Sequence, residues 1–289
     1  YKKDGPMVFE CVDKNCIADV ISGWTGVPLG ICLDSEQQKT SSLLRCLEQR
    51  VLGQRYAMSA IASQILISRA DLKDPVKPDG VFLLAGPSGT GKTETARALA
   101  ELVYGDENKL ITINMTEFQE AHTVSTLKGA PPGYVGFGQG GTLTERVSHN
   151  PYSIILLDEI EKAHPKIFSL LLQLLDDGQL TDSVGRNVNF KNTVVIMTSN
   201  TGVSFEMDKR LGFSGSKTDD TPTISRRRTI MAQAKQTFRP EFLGRIDEMI
   251  VMNSLTQEDG AKIAELMLEK VKARLEQQGI TLSYDQEVP

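Results

Sequence analysis

The stretch GPSGTGKT, residues 86–93, has the residue types and the spacing that hold a phosphate group. Its glycines let backbone N–H groups point inward around an anion, and a helix that starts at the loop adds partial positive charge. In the pattern G-x-x-x-x-G-K-[ST], the lysine reaches the β- and γ-phosphates of a nucleotide and the last hydroxyl reaches Mg²⁺. We therefore predict a phosphate-binding loop made of Gly86, Pro87, Ser88, Gly89, Thr90, Gly91, Lys92 and Thr93.

Two acidic residues follow the apolar run SIILL and end the segment SIILLDE, residues 153–159. We expect Asp158 to hold Mg²⁺ together with Thr93, and Glu159 to orient or deprotonate an attacking water. Such a pair favours hydrolysis over phosphoryl transfer to a small acceptor. The alternative, which has more weight if the phosphate loop is left aside, is two acids at an ordinary strand end.

A third polar residue ends another apolar run, TVVIMTSN, residues 193–200. In parallel sheets, ligands collect at the carboxyl ends of the strands. We therefore expect Asn200 to hydrogen-bond the γ-phosphate or the attacking water. The alternative is a turn-forming asparagine ahead of Gly202.

The elements that must position these residues are short apolar runs that alternate with helical patterns. The runs are apolar throughout, as in strands that are buried on both faces, and they lie at 81–85, 110–114, 153–158, 193–198 and 248–252. Helical patterns separate them at 92–104, 142–148, 165–176 and 226–238. Strands that alternate with helices predict an α/β fold with a five-stranded parallel sheet flanked by helices.

The regions outside this alternation suggest two further parts. Glycines and a proline predict that residues 1–35 are an irregular lead-in segment, and helical spacing then runs to about Ala70 with a break at Gly53. After the last strand, one amphipathic helix is expected from near Thr256 to Gly279, followed by a short strand in ITLSYD. We divide the chain into a lead-in at 1–35, a large α/β domain at 36–253 and part of a small, mostly helical domain at 254–289.

Composition narrows the classes of function. Hydrophobic residues make up 40% of the 289 residues, enough for a sizeable core, and the net charge of −5 weighs against a nucleic-acid partner. No apolar run is long enough to span a membrane, and we expect a cytoplasmic protein. The four cysteines form no CxxC pair and the histidines show no metal spacing, so reduced thiols are expected. The chain opens at Tyr1 rather than Met, which suggests a fragment of a longer protein.

Four segments together resemble an AAA+ module of the Clp unfoldase class: GPSGTGKT, LLDEIEKAH, MTSN and FRPEFLGRID. They stand in that order with similar separations, whereas a generic phosphate-loop enzyme would share only the first. SGWTGVPLG (22–30) and RVLGQ (50–54) also resemble the opening of the second ATPase module in two-module Clp proteins. The resemblance covers nearly the whole chain and implies an ATPase with ATP and Mg²⁺ as cofactors.

The resemblance implies roles for residues outside the phosphate site. Val51 and Leu52 would lie beside the adenine. Arg245 matches the arginine finger that reaches the nucleotide of a neighbouring subunit, and the family forms homo-hexamers. Two features differ from the family pattern: GRID carries Gly244 where asparagine is usual, and the Gly-Ala-Arg sensor is expected just beyond Pro289.

The loop KGAPPGYVGFGQGG, residues 128–141, carries apolar side chains on a backbone too rich in glycine and proline for a helix or strand. In similar proteins GYVG is the pore loop that grips an unfolded chain without reading its sequence, because apolar contact is non-directional. Here it is formed by Gly133, Tyr134, Val135 and Gly136. Residues 176–190 resemble the second pore loop. The implied partners are unfolded or aggregated proteins.

A segment at 209–220 bears on which kind of Clp protein this is. Leu211, Gly212 and Phe213 fit the tripeptide by which some unfoldases dock on a ClpP-type peptidase. However, INMTEFQEAHTVSTLKG is similar to secretion-associated ClpV proteins and to stand-alone disaggregases. Both alternatives stay open at this point.

Two other classes of function compete with a protein unfoldase. AAA+ modules also serve nucleic-acid motors and clamp loaders, but the acidic net charge and the aromatic loop weigh against these. A scaffold that binds nucleotide without hydrolysing it is the third class, and Lys92, Asp158, Glu159 and Arg245 argue against it. The basic run in ISRRRTIM (224–231) is interpreted as a solvated helix face.

Overall fold

The structure is a computed structural model, and it describes residues 12–25, 36–70, 72–120, 122–129, 140–200, 222–278 and 282. The strands are β1 (Gly80–Ala85), β2 (Leu110–Asn114), β3 (Ser153–Asp158), β4 (Gln179–Thr181), β5 (Asn187–Asn189), β6 (Thr193–Ser199) and β7 (Glu248–Val251). Five of them form one sheet in the order β2-β3-β6-β1-β7, and every pair in it is parallel. The fold class predicted from the sequence is confirmed.

The helices are α1 (Lys14–Thr25), α2 (Glu36–Arg50), α3 (Arg55–Arg69), α4 (Lys92–Tyr104), α5 (Val124–Lys128), α6 (Thr142–His149), α7 (Pro165–Asp177), α8 (Pro222–Thr237), α9 (Pro240–Leu243) and α10 (Gln257–Gln277). The strands of the large sheet end within one residue of the predicted runs. Helix α8 begins four residues earlier than predicted, at Pro222. Proline suits the first position of a helix because its missing N–H is not needed there.

The expectation of an irregular segment at 1–35 is wrong for its middle part, where α1 spans Lys14–Thr25. Gly23 lies inside this helix rather than ending it. One glycine costs a helix only about 1 kcal/mol. Ile17, Val20 and Ile21 recur at helical spacing, a pattern that favours a helix although the segment contains Gly23. All three side chains are exposed.

Alternating side chains of the central strands supply two separate cores, one on each face of the sheet. Val81 and Leu83 of β1 join the core beneath α6 and α7. Phe82 and Leu84 point to the other face, against α2, α3 and α4. Because both faces are covered, the central strands are apolar throughout, as the sequence pattern predicted.

The hairpin of β4 and β5 and the helix α10 lie outside this layered core. The two short strands pair antiparallel. Helix α10 starts with a capping box, in which the Thr256 side chain accepts from the Asp259 N–H and the Asp259 side chain accepts from the Thr256 N–H. Apart from Leu282, the strand predicted in ITLSYD lies outside the described residues. Among the described helices, none is long and apolar enough to cross a membrane.

Candidate functional site

The phosphate loop leaves the carboxyl end of β1 and leads directly into α4. Gly89 and Gly91 have φ angles of +79° and +92°, which side chains other than glycine rarely allow. Gly91 occupies the N-cap of α4 and so offers no side chain to the first N–H groups of the helix. The Thr90 hydroxyl donates to the Pro87 carbonyl at 2.9 Å and closes the loop. Free helix donors and an open glycine-lined turn are what an anion requires.

Lys92 bridges this loop and the end of β6. Its Nζ donates to the Gly86 carbonyl at 2.6 Å, to the Pro87 carbonyl at 2.8 Å and to Asn200 Oδ1 at 2.9 Å. The residue is buried. Burial lowers the pKa of Lys92, although nearby carboxylates oppose that shift. The ammonium group is therefore held in the loop by three acceptors that phosphate oxygens could replace.

The two acids predicted at the end of β3 share one hydroxyl from the neighbouring strand. Thr198 of β6 is buried, and its Oγ1 donates to Asp158 Oδ1. The same oxygen accepts the backbone N–H of Glu159 at 3.1 Å. Glu159 has φ 55° and ψ 51°, the left-handed conformation. The two carboxylates have different partners, since Asp158 accepts from Thr198 and Glu159 accepts from Asn200 Nδ2, which the sequence alone did not reveal.

Asn200 joins the lysine to the acidic turn. Its Oδ1 accepts from Lys92, and its Nδ2 donates to Glu159 Oε1 at 2.9 Å. Its backbone N–H donates to Glu161 Oε1 at 2.9 Å. The structure thus brings Lys92, Glu159 and Asn200 into one chain of hydrogen bonds, with Asp158 beside it.

Thr198 and Glu161 are site residues that the sequence reasoning missed. Thr198 hydrogen-bonds Asp158 and Glu159 from the neighbouring strand, and Glu161 accepts the N–H of Asn200 from the turn after β3. The signal for Thr198 was available, because it stands two residues before Asn200 in a run that ends at the same sheet edge. Glu161 stands in the motif LLDEIEKAH, but nothing in the motif said which acid would face Asn200.

A cavity of about 730 Å³ opens beside the phosphate loop. Val51 and Leu52 line it together with Gly89, Thr90 and Gly91. Its opposite wall comes from the segment after β7 and from α10, through Leu255, Ile263, Leu266 and Met267. The rest of the lining is largely charged and includes Arg50, Glu94 and Arg97. A cleft with apolar walls next to an anion cradle fits a molecule with a flat base and a phosphate tail. The thiol of Cys46, which is free, also lines this cavity.

The residues present fit ATP with Mg²⁺. The glycine cradle and the helix start offer donors to phosphate, and Lys92 lies among them. Asp158 supplies a carboxylate oxygen and Thr93, half-buried in the first turn of α4, supplies a hydroxyl, both of which are oxygen ligands of the kind that Mg²⁺ prefers. No cluster of three or more histidine, cysteine or acidic side chains suited to a metal occurs in the described ranges.

Arg245 lies apart from this cluster. It precedes β7, and the Asp247 N–H donates to the carbonyl of Val81 near the start of β1. Arg245 therefore lies near the amino ends of the strands, whereas the phosphate loop follows the carboxyl end of β1. Its Nε pairs with Asp176 Oδ1 at 2.5 Å, and 44% of its side chain is exposed. The structure therefore does not bring Arg245 to the phosphate loop of its own chain.

Two predicted surfaces lie outside the described residues. They are the pore-loop residues Gly133, Tyr134, Val135 and Gly136, and the docking residues Leu211, Gly212 and Phe213. The segment 176–190, which resembles a second pore loop, is described: it holds the end of α7 and the β4–β5 hairpin.

Comparison with known proteins agrees with the fold and with the sequence motifs. The family described as AAA domain (Cdc48 subfamily) matches residues 77–249. The "ATP-dependent Clp protease ATP-binding subunit ClpC" of Staphylococcus aureus (strain USA300) is 49% identical over 266 residues, which are 92% of this chain and 32% of that protein. The protein of the same name from Staphylococcus epidermidis (strain ATCC 12228) is 50% identical over 268 residues, 92% of this chain and 33% of that protein.

This chain thus spans about a third of the length of these curated relatives. The family match covers more than half of the chain and includes the phosphate loop, the acidic turn and Asn200. The chain belongs to the AAA domain family (Cdc48 subfamily), and it is an AAA+ ATPase module of the Clp type.

Proposed function

We propose that this chain is the ATP-hydrolysing module of a protein unfoldase that threads polypeptides through the pore of a ring. The observation that carries the proposal is the hydrogen-bonded chain from Lys92 through Asn200 to Glu159 at the carboxyl edge of the sheet. It joins the group that would hold the γ-phosphate to the group that would act on water.

Each residue of the site has a distinct task in this proposal. Lys92 exchanges its carbonyl partners for the β- and γ-phosphates, and Thr93 and Asp158 hold Mg²⁺. The bound Mg²⁺ supplies positive charge against the phosphate oxygens. Glu159 takes a proton from the attacking water, while Asn200 orients Glu159 through its Nδ2. Thr198 keeps both acids in place from the adjacent strand.

Arg245 completes the site of a neighbouring subunit. Its position at the far edge of the sheet and its exposed side chain suit a group that acts across an interface. An arginine in this role stabilises the charge of the transition state. A group that acts in trans requires a closed ring, and we propose the homo-hexamer that the family forms.

The substrate is an unfolded or aggregated polypeptide that Tyr134 and Val135 grip, with Gly133 and Gly136 as flexible flanks. Nucleic acid and membranes are not proposed as partners, and we place the protein in the cytoplasm. The relatives are named as the ATP-binding subunit of an ATP-dependent Clp protease, which favours a ClpP-type peptidase as a further partner, docked by Leu211, Gly212 and Phe213. A stand-alone disaggregase or a ClpV-like remodeller is the alternative.

The experiment uses the full-length protein that contains this chain and a stable fluorescent reporter with an unstructured tail. ATP hydrolysis and loss of fluorescence are measured together. At this module's site, Lys92→Ala should abolish nucleotide binding, and Glu159→Gln should keep binding while hydrolysis there falls by about 10²-fold or more. Tyr134→Ala should stop unfolding and spare hydrolysis, whereas Tyr134→Phe, which keeps the aromatic ring, should unfold the reporter.

Each measurement has an outcome that would contradict one part of the proposal. Unfolding that survives Tyr134→Ala would contradict the proposed grip. Stimulation of hydrolysis by single-stranded DNA but not by unstructured polypeptide would indicate a nucleic-acid motor. No turnover in the unaltered protein, and no change with Glu159→Gln, would indicate a scaffold. Removal of residues 209–220 should abolish capture of a ClpP-type peptidase, and an unchanged capture would remove that segment from the docking role.

A further inference from the structure

Gln54 connects three distant parts of the chain through one buried side chain. It precedes α3 at the N-cap position, yet its side chain does not cap the helix. Its Nε2 donates to the Thr90 carbonyl at 3.2 Å and to the Asn253 carbonyl at 2.9 Å. Its Oε1 accepts the Asn253 N–H at 2.9 Å. The residue is only 1% exposed.

The chemistry of the amide fixes this arrangement. Gln54 and the backbone of Asn253 pair through two hydrogen bonds, and the remaining amide hydrogen reaches Thr90. Turning the amide by half a rotation would set its oxygen against two carbonyl oxygens and its nitrogen against an N–H. The buried group is therefore satisfied in one orientation only, and loss of a partner would leave a buried polar atom unpaired.

Both partners of Gln54 stand beside the cavity that fits a nucleotide. Thr90 belongs to the phosphate loop and lines the cavity. Asn253 follows Met252, whose N–H is held by the Ala85 carbonyl at 2.8 Å, and it opens the connection from β7 to α10. That connection and α10 form the opposite wall through Leu255, Ile263, Leu266 and Met267.

The neighbouring residue shows how closely these parts pack. A Cβ added to Gly53 would lie 3.0 Å from Asp259 Oδ2 and 3.2 Å from a methyl of Leu255. Gly53 has a φ of +75°, so the turn ahead of Gln54 fits against the start of α10 without a side chain. The turn at 53–54 is thus in contact with both walls of the cavity.

We propose that Gln54 is a positioning residue that links the phosphate loop to the connection between β7 and α10, so that nucleotide at the loop sets the position of the α10 wall. The inference rests on the proposed function, since it requires nucleotide in this cavity. A shift of Thr90 on phosphate binding moves its carbonyl. Gln54 transmits that shift to the Asn253 backbone through a rigid amide pair, because its three hydrogen bonds leave it no alternative partner.

The test is hydrogen exchange of backbone amides in the full-length protein, with and without saturating ADP. In the unaltered protein, ADP should slow exchange both in the phosphate loop, 86–93, and in the connection, 252–256. Gln54→Met, which keeps the length but not the hydrogen bonds, should leave the loop responsive to ADP. Exchange in the connection should become about tenfold faster and should no longer respond to ADP, because Asn253 has lost its acceptor.

A second variant guards against a folding defect. Gln54→Asn keeps the amide but is one methylene too short to reach both partners, and asparagine is a favourable N-cap residue for α3. It should give a folded protein that is equally uncoupled. Gln173→Met, on the exposed face of α7, is the matched control and should behave as the unaltered protein.

The outcomes distinguish this inference from the proposed function. If the phosphate loop of the unaltered protein shows no response to ADP, nucleotide does not bind there and the proposed function fails. If the loop responds, but the connection keeps its full ADP response in both Gln54 variants, the coupling role of Gln54 is wrong while the proposed function stands.

Discussion

Glu159 combines the role proposed for it with a backbone conformation that few side chains adopt. Among the described residues it is the one non-glycine with a positive φ. Such a residue stores about 1–3 kcal/mol of strain, and it persists only where its surroundings hold it. Here the Thr198 hydroxyl holds its N–H and the Asn200 amide holds its carboxylate. The hydrogen bonds to Thr198 and Asn200 therefore hold Glu159 in a conformation that its side chain would not otherwise favour.

This geometry predicts that two substitutions of Glu159 differ in stability but lose activity alike. Glu159→Gly should be more stable than Glu159→Ala by about 1 kcal/mol, because only glycine adopts the left-handed conformation without strain. Both variants should lose hydrolysis by about 10²–10⁴-fold, because neither has a general base. Unfolding in urea and ATP turnover of the full-length protein measure the two effects. Equal stability of the two variants would show that the turn relaxes and is not strained.

The sequence predicted the site residues at strand ends but not the residues that hold them. Lys92, Asp158, Glu159 and Asn200 follow from motifs and from buried runs, since ligands meet the carboxyl ends of parallel strands. Thr198 could be paired with the acids only once β6 was known to lie beside β3. The role of Gln54 could not be predicted for a similar reason, because its partners are 36 and 199 residues away in the chain.

At the scale of elements, the β4–β5 hairpin is the part that the apolar pattern could not predict. Its strands are three residues each, too short to show a period. The turn is held instead by Asp182, whose buried carboxylate accepts from the N–H groups of Val184 and Arg186 and from the Arg186 guanidinium. The Ser183 N–H donates to the Lys128 carbonyl at 3.0 Å, so the turn also contacts the residue just ahead of the loop that begins at 130.

The Asp182 carboxylate predicts a dependence of stability on pH. Burial alone would raise the pKa of Asp182, but the hydrogen bonds and charge of Arg186 and the Val184 N–H outweigh it and lower the pKa. A depressed pKa stabilises the fold above the ordinary aspartate value of 3.8, and this contribution is lost as pH falls through the lower folded-state pKa. Asp182→Asn should therefore destabilise the protein at neutral pH, by about 1 kcal/mol, and much less in acid.

Urea unfolding of both proteins across the acidic range measures this gap. Asp177→Asn, which removes an exposed acid at the end of α7, serves as the matched control for the loss of a surface carboxylate. A difference between Asp182→Asn and the unaltered protein that stays constant at all pH values would show that the charge of Asp182 is not what holds the turn.

At the scale of the whole molecule, Arg245 lies at the end of the sheet opposite to the nucleotide site of its own chain. The site forms beyond the carboxyl end of β1, and Arg245 lies near its amino end. The six residues of β1 separate the two edges by roughly 17 Å, at about 3.3 Å per residue. Asp176, at the end of α7, keeps the guanidinium at that edge. In a ring of identical subunits, this edge can meet the phosphate loop of the next protomer.

Mixed rings test whether Arg245 acts across the interface. The ATP turnover of this module should be nearly lost in full-length Glu159→Gln and in full-length Arg245→Ala when each is measured alone. Mixed in equal amounts, they should recover up to about a quarter of the normal ATP turnover, because a site needs its own Glu159 and a neighbour's Arg245 and each is intact in half of the subunits. If Arg245 served its own chain, no subunit in the mixture would hold both groups and nothing would be recovered. Glu159→Gln mixed with Lys92→Ala is the control that should stay inactive, since both residues serve the same nucleotide.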